Sequence, residues 1–472
     1  MKFFFTMALL ALVSCGGATG TLTVTLVTPV GADPFASASQ ARITVSSGVA
    51  DAAPISQTTV AVTGGHFSDA ATIDLGANAG LAALVTVEAL AADGSVIGRG
   101  ATPLLGILPT AEDVAVWVGA PGTVGRSPSS LKASPVVGAA IAMVPRMGVV
   151  IAGGTSGGQP SASVDIYEQY LQATVTPVAS LPTARAGAIA IGFDRPADLS
   201  GALLAIGGGS ADGAILDPTT SSDGTTTGIW TTVLSDPSLG RAWGSAAQLA
   251  SGGWLVTGGL DANGKALDTA TLLTLGDAPA NAPLHTALVG ARSGHTTIAG
   301  TFLGEAGALL VGGGAPQVER FSATTSTFSA LPGGDPLPAD ASAFSATALP
   351  DGRVLLVGGL VNATPSQGGA LIDPKTLAVT PLPTVLPTAR AGHVAFVAAG
   401  ELVVCGGRDG SNNPIASCDV LDGASLHPVR TVALAVGRSA LSAITLDNSD
   451  VLLLGGDDAN TATAIDVYTP LH

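Results

Sequence analysis

Few side chains in this sequence are of the kinds that do chemistry, and their spacing limits what they could do. The 472 residues include 6 His, 3 Cys and 3 Tyr. His295 and His393 both follow an Arg-x-Gly tripeptide, so they occupy one position of a recurring pattern. A metal site would need further ligands there, and the same position elsewhere holds Ala188 and Leu441. No metal and no cofactor is therefore expected. Asp261 to Gly264 reads as a hairpin turn, because the remaining ligands of a calcium loop are missing. Charged residues that could act together are Arg408-Asp409 and Asp457-Asp458. No His-Glu-x-x-His or lysine-bearing phosphate loop occurs. No catalytic residue is assigned, and the expectation is that the chain is not an enzyme.

The elements that must position these residues are read from a repeat. An apolar run ending in Gly-Gly recurs seven times, at doublets 153–154, 208–209, 258–259, 312–313, 358–359, 406–407 and 455–456. The steps run from 46 to 55 residues. Each run is short and rich in Val, Leu and Ile, which fits a buried strand better than a helix. Glycine stops the strand because it tolerates positive φ and close backbone approach. Turn formers such as Asp-Gly-Ser-Asn-Asn-Pro follow, and then a second strand such as the one around Tyr167 or Tyr468. Strand, doublet, turn and strand make a hairpin.

This unit resembles the kelch repeat, a four-stranded propeller blade of about 50 residues. The doublets, the Asp-Ile-Tyr or Asp-Val-Tyr strand and the Arg-x-Gly-His lead into the next unit carry the resemblance. They cover residues 128 to 472. Blade five lacks the lead-in arginine, and the family's late-blade Trp is mostly missing. The resemblance implies an all-β fold, a seven-bladed kelch-like β-propeller. Its last blade would be completed by a strand from within residues 113–134, since an open sheet edge is an aggregation hazard. The arginines Arg185, Arg241, Arg292, Arg390 and Arg438 are expected to hydrogen-bond neighbouring blades, because a buried Arg must be satisfied. His295 and His393 are expected to bond backbone between blades.

Kelch-family binders use residues after the doublet and after the arginine at the channel mouth. Here the candidate binding residues are Arg408, Asp409, Asp457, Asp458, Ser293 and Ser439. One kelch-type enzyme class holds copper with a Tyr–Cys crosslink, a second Tyr and two His. Tyr167 and Tyr468 fall inside strand patterns, and Cys405 and Cys418 look paired with each other, which speaks against that chemistry.

The N-terminus gives an address. Lys2 precedes an apolar run from Phe3 to Val13, which is shorter than the roughly 20 residues of a membrane span. Leu12-Val13-Ser14-Cys15 resembles the bacterial lipoprotein box, which implies a signal peptide over 1–14, lipidation at Cys15 and a linker over 15–19. Gly16 after the cysteine implies the outer membrane in that family. With Cys15 lipidated, Cys405 and Cys418 form an even pair in an exported protein, which suggests a disulfide worth about 3 kcal/mol. Two buried thiols are the alternative.

Residues 20–119 carry period-two Thr/Val alternation in seven short runs, which indicates a small β-sandwich ahead of the propeller at 120–472. With 18 Lys+Arg against 34 Asp+Glu, nucleic acid is excluded as a partner. The resulting expectation is a non-catalytic binding or scaffold lipoprotein of the cell envelope, outer-membrane anchored. Its partner would be an envelope protein or polysaccharide. The alternative is a carbohydrate-active enzyme or lectin on the same scaffold.

Overall fold

The computed structural model describes residues 5–10, 21–47, 53–67, 82–106, 112–132, 137–175, 178–195, 200–220, 227–276, 278–315, 317–331, 342–457 and 462–471. Among them are seven four-stranded antiparallel sheets. We number the sheets in chain order. Sheet one is Ala139–Val144, Gly148–Gly153, Val164–Glu168 and Ala173–Val175. Sheets two to seven open on Ala188–Asp194, Ser245–Gln248, Thr296–Phe302, Ser345–Ala348, Val394–Ala398 and Ser442–Thr445.

The doublet-terminated runs form the second strand of each sheet. Val354–Val357 and Val451–Leu454 are buried along their whole length. A strand with both faces covered needs a continuous apolar run, which is why these segments do not alternate. What covers them is the next sheet. Val150 packs with Leu203, Leu204 with Val256, and Leu255 with Leu310. Leu309 packs with Leu356, Leu355 with Leu402, and Val403 with Leu453. The circuit closes where Leu452 of sheet seven meets Val149 of sheet one. The core is thus a set of layers between sheets packed face to face in a ring, a propeller-like all-β fold.

Sheet seven is completed from upstream, as the missing strand required. Thr123–Ser130 pairs antiparallel with Ala464–Thr469, and Arg126 forms an ion pair with Asp466. Arg430 of sheet six bonds Glu401, the Tyr468 hydroxyl and the Gly122 carbonyl, so it grips the start of the closing strand.

The N-terminal unit is two sheets sharing one core. Ser56–Thr63, Gln40–Ser46, Ala82–Leu90 and Val96–Ala101 lie side by side. Thr21–Val27 pairs parallel with Glu112–Trp117. Val24 and Val116 of the second sheet pack with Ile43 and Val87 of the first. Of the seven runs, Ala71 to Gly76 lies outside the described residues. The apolar run of the signal-like segment includes a strand, Phe5–Leu10, paired antiparallel with Thr21–Val27. Cys15 lies outside the described residues. Cleavage before Cys15 would leave Thr21–Val27 with its parallel partner. The unit is joined to the ring by Trp117, which is fully buried among Leu452, Val149 and Tyr167 and donates from Nε1 to Thr469 Oγ1 at 3.0 Å.

Candidate binding site

The mouth of the ring is built by arginines and glycines acting together. Arg185, Arg241, Arg292, Arg390 and Arg438 are all buried. The carbonyl of each accepts the N–H of the second doublet glycine of the preceding sheet, from Gly154, Gly208, Gly259, Gly359 and Gly407, at 2.8–2.9 Å. The guanidinium reaches forward to the first doublet carbonyl of its own sheet, Gly207, Gly258, Gly312, Gly406 and Gly455, at 2.7–3.2 Å, so in sheet two the doublet is Gly207-Gly208, one residue before the 208–209 expected from the sequence. One arginine therefore ties two doublets. A Cβ on Gly207 would lie 2.1 Å from the Arg241 carbonyl oxygen, so glycine is required where that carbonyl docks.

Four of these arginines also pair with a carboxylate on the third strand. The partners are Asp212, Glu319, Asp419 (2.7 Å from Arg390) and Asp466. Arg241 has Thr269 and Ser238 instead, and burial without a counter-charge lowers its pKa to about 10. In sheet five the lead-in position is Ala341 and the carboxylate position is Ala370, so both charges are missing together. Sheet one has Val136 at the lead-in position but keeps Asp165, which accepts the Lys132 N–H at 3.2 Å.

Two residues beyond each lead-in position lies a backbone girdle around the channel. Gly138, Gly187, Trp243, Gly294, Ala343, Gly392 and Ala440 all have φ between 52° and 70°. Gly187 donates to Gly138, Trp243 to Gly187 and Gly294 to Trp243, each at 2.7 Å. Gly392 donates to Ala343 at 2.9 Å and Ala440 to Gly392 at 3.0 Å. No bond joins Gly294 to Ala343 or Ala440 to Gly138. The two gaps coincide with the seams led by Ala341 and Val136.

Trp243 is the outlier of this girdle. It is 40% exposed beside Val137 at 38%, and its ring covers Gly138 and Gly187, where a Cβ would come within 2.8 Å of it. It is absent from the candidates drawn from the sequence, although a signal for it exists there: a bulky residue in a place that requires positive φ and elsewhere holds only Gly or Ala. On the far side of the ring, Arg408 Nη2 and Ser439 Oγ both donate to Asp457 Oδ2 at 2.7 Å. Burial opposes ionisation of Asp457, but these two hydrogen bonds outweigh it and hold the pKa below the usual range.

The inner strands of sheets one, two, three, six and seven line an open cavity of about 440 Å³, through Ala139, Ala190, Gly244, Ala246, Val394 and Ile444 among others. The candidate residues therefore separate. Arg408, Asp457 and Ser439 form one cluster. Asp409 is spent on its own turn, accepting from the Ser411 and Asn413 N–H groups at 2.9 and 2.8 Å. Asp458 lies outside the described residues. Ser293 lines a different cavity, of about 480 Å³, between sheets four and five.

Both histidines bridge sheets through hydroxyls, and His393 also meets the backbone of Val357 and Arg390, the kind of partner expected of it. His295 Nε2 lies 2.7 Å from Thr257 Oγ1, and His393 Nε2 lies 2.9 Å from Ser345 Oγ. Burial, and secondarily the nearby Arg292 and Arg390, lowers their pKa values to about 3. Both are neutral at physiological pH. Cys405 and Cys418 form a disulfide between directly paired residues, with Cα atoms 4.0 Å apart. The alternative of two thiols is set aside.

The copper centre of the kelch-type enzyme class does not fit these residues. Both described cysteines are in the disulfide. The Tyr167 hydroxyl donates to Gln172 and that of Tyr468 to Glu401, both away from the histidines. Among the described residues no group of three or more His, Cys, Asp or Glu is placed to hold a metal ion.

No protein-family model matches the chain, and no curated protein matches it. Among solved structures, YjhT is similar at 15% identity, over 61% of this chain and 95% of that one, with a TM-score of 0.41. A fungal alcohol oxidase of the AA5 family, in complex with copper, is similar at 17% identity, over 72% of this chain and 75% of that one, with a TM-score of 0.54. The expectation that the chain is not an enzyme is corrected by this likeness: its fold is one on which a copper alcohol oxidase is built.

Proposed function

We propose that this chain is a kelch-like propeller of the bacterial cell envelope, exported and lipid-anchored through Cys15. It recognises an envelope polysaccharide or protein at the mouth of its channel. One observation carries the reading: Trp243 is partly exposed on the girdle, its backbone tied by hydrogen bonds to Gly187 and Gly294. Tryptophan and arginine dominate the energetics of recognition surfaces, and here Trp243 of the girdle and Arg408, paired with Asp457, are both solvent-accessible. The asymmetry offers a ligand an apolar face and a hydrogen-bonding face.

The test compares wild type with W243A for co-sedimentation with purified envelope polysaccharide and with envelope proteins. Wild type should bind, and W243A should bind at least about tenfold more weakly. Equal binding by the two proteins would defeat the reading. Mass spectrometry of the N-terminal peptide from a bacterial host should find acylated Cys15.

The likeness to the alcohol oxidase favours a second reading, a carbohydrate-active enzyme on this scaffold. Product formation from a panel of alcohols and sugars, with the metal content of the purified protein measured alongside, decides between the two.

A further inference from the structure

We infer that the seam between sheets four and five holds a subsite for an uncharged saccharide ring. The inference rests on the reading that the mouth recognises a ligand, and it names the place and the chemical class. The seam opens into a cavity of about 480 Å³, inside the range of roughly 300–1,000 Å³ typical of small-molecule sites. Its lining has no charged residue. It offers three hydroxyls, of Ser293, Thr296 and Ser342, a glycine floor at Gly312 to Gly314, and one aromatic ring, Phe344.

The polar groups of this lining have capacity to spare. Among the described residues, the three hydroxyls make no hydrogen bond to protein. Nor do the Gly294 carbonyl and the Ala343 N–H, the girdle groups on either side of the gap. At five other seams the corresponding carbonyl and N–H bond each other. Here an acceptor and a donor face a solvent-accessible cleft beside three free hydroxyls. A ligand that satisfies such a lining carries several neutral groups able both to donate and to accept. It also has an apolar face to lie on Phe344. A sugar ring has both properties. A phosphate or carboxylate finds no counter-charge here, and a purely apolar ligand would leave the backbone pair unpaired.

The experiment titrates the whole chain with glucose, galactose, N-acetylglucosamine and cellobiose by calorimetry. The same titrations use S293A/S342A, S293W, which fills the cleft, and W243A. The removed hydroxyls have no partner among the described residues, so S293A/S342A should melt with wild type. At least one sugar should bind, about tenfold more weakly to S293A/S342A, and not detectably to S293W. Sugar binding that is unchanged in both cleft variants but lost in W243A would overturn the cleft and leave the mouth reading intact. Failure of all four sugars to bind wild type at millimolar concentration would overturn the saccharide subsite. The mouth reading would then stand or fall on the co-sedimentation of wild type against W243A.

Discussion

Five seams of the ring carry a buried arginine and two do not, and the two kinds close differently. At the arginine seams one side chain bonds the doublet ahead of it while its carbonyl bonds the doublet behind, and the girdle bond beside it is made. At the seams led by Ala341 and Val136 the girdle bond is absent. The two exceptions then diverge. The seam between sheets seven and one is braced from below by Trp117 and has the closing strand at its rim. The seam between sheets four and five has no such wedge among the described residues and opens into a cleft. The lesson is that the repeat supplies apolar packing at every seam, whereas polar closure is optional and varies with a single residue.

Removing the closing strand's partner should have the largest effect. Deletion of residues 463–472 takes away Ala464–Thr469 and exposes Thr123–Ser130, and the ring should lose cooperative unfolding altogether by calorimetry. An unchanged melting temperature would show that the unbraced ring holds without its last pair. Next, R390A strands Asp419 as a buried charge and should cost about 3–5 kcal/mol in urea unfolding. If R390A cost no more than R353A, at an exposed pair, the distinction between the two kinds of seam would collapse.

Gly187→Ala and Gly294→Ala sharpen the comparison at the girdle. Both positions have positive φ, but only a Cβ at Gly187 meets the Trp243 ring, whereas at Gly294 it meets nothing within 4 Å. Gly187→Ala should cost about 2–3 kcal/mol and Gly294→Ala about 1 kcal/mol. The pH-dependent effects are opposite in sign. His295 and His393 have folded pKa values near 3, below the ordinary 6.5, so their contribution is present above 6.5 and lost as pH falls toward 3. Asp450, beneath the seam of sheets seven and one, is pushed by burial from 3.8 to about 8. Its contribution is complete below 3.8 and lost as pH rises through about 8. H295Q should flatten the acid limb and D450N the alkaline limb of a plot of melting temperature against pH.

The parts of this architecture legible in the sequence are those written within one repeat. Doublets at near-constant spacing announce the second strands, and the missing fourth strand of the last unit points upstream to where Thr123–Ser130 lies. Parity of the cysteines leads to the disulfide. What is not legible belongs to contacts between repeats. That the Arg241 carbonyl forbids a Cβ at Gly207, or that Trp243 lies over Gly138, depends on residues brought together only by the ring. The parallel pairing of Thr21–Val27 with Glu112–Trp117 escapes for the same reason, since period-two alternation reports a buried face and not a neighbour.

The pairing of Val124 with Tyr468 has a consequence for how the molecule matures. Those partners are separated by nearly the whole length of the ring, so the final contact waits until synthesis has delivered the last strand. Until that moment the nascent chain carries two unsatisfied sheet borders. A protease nick in any connecting loop of the finished wheel would separate no fragment, because each piece remains clasped by its neighbours on both sides.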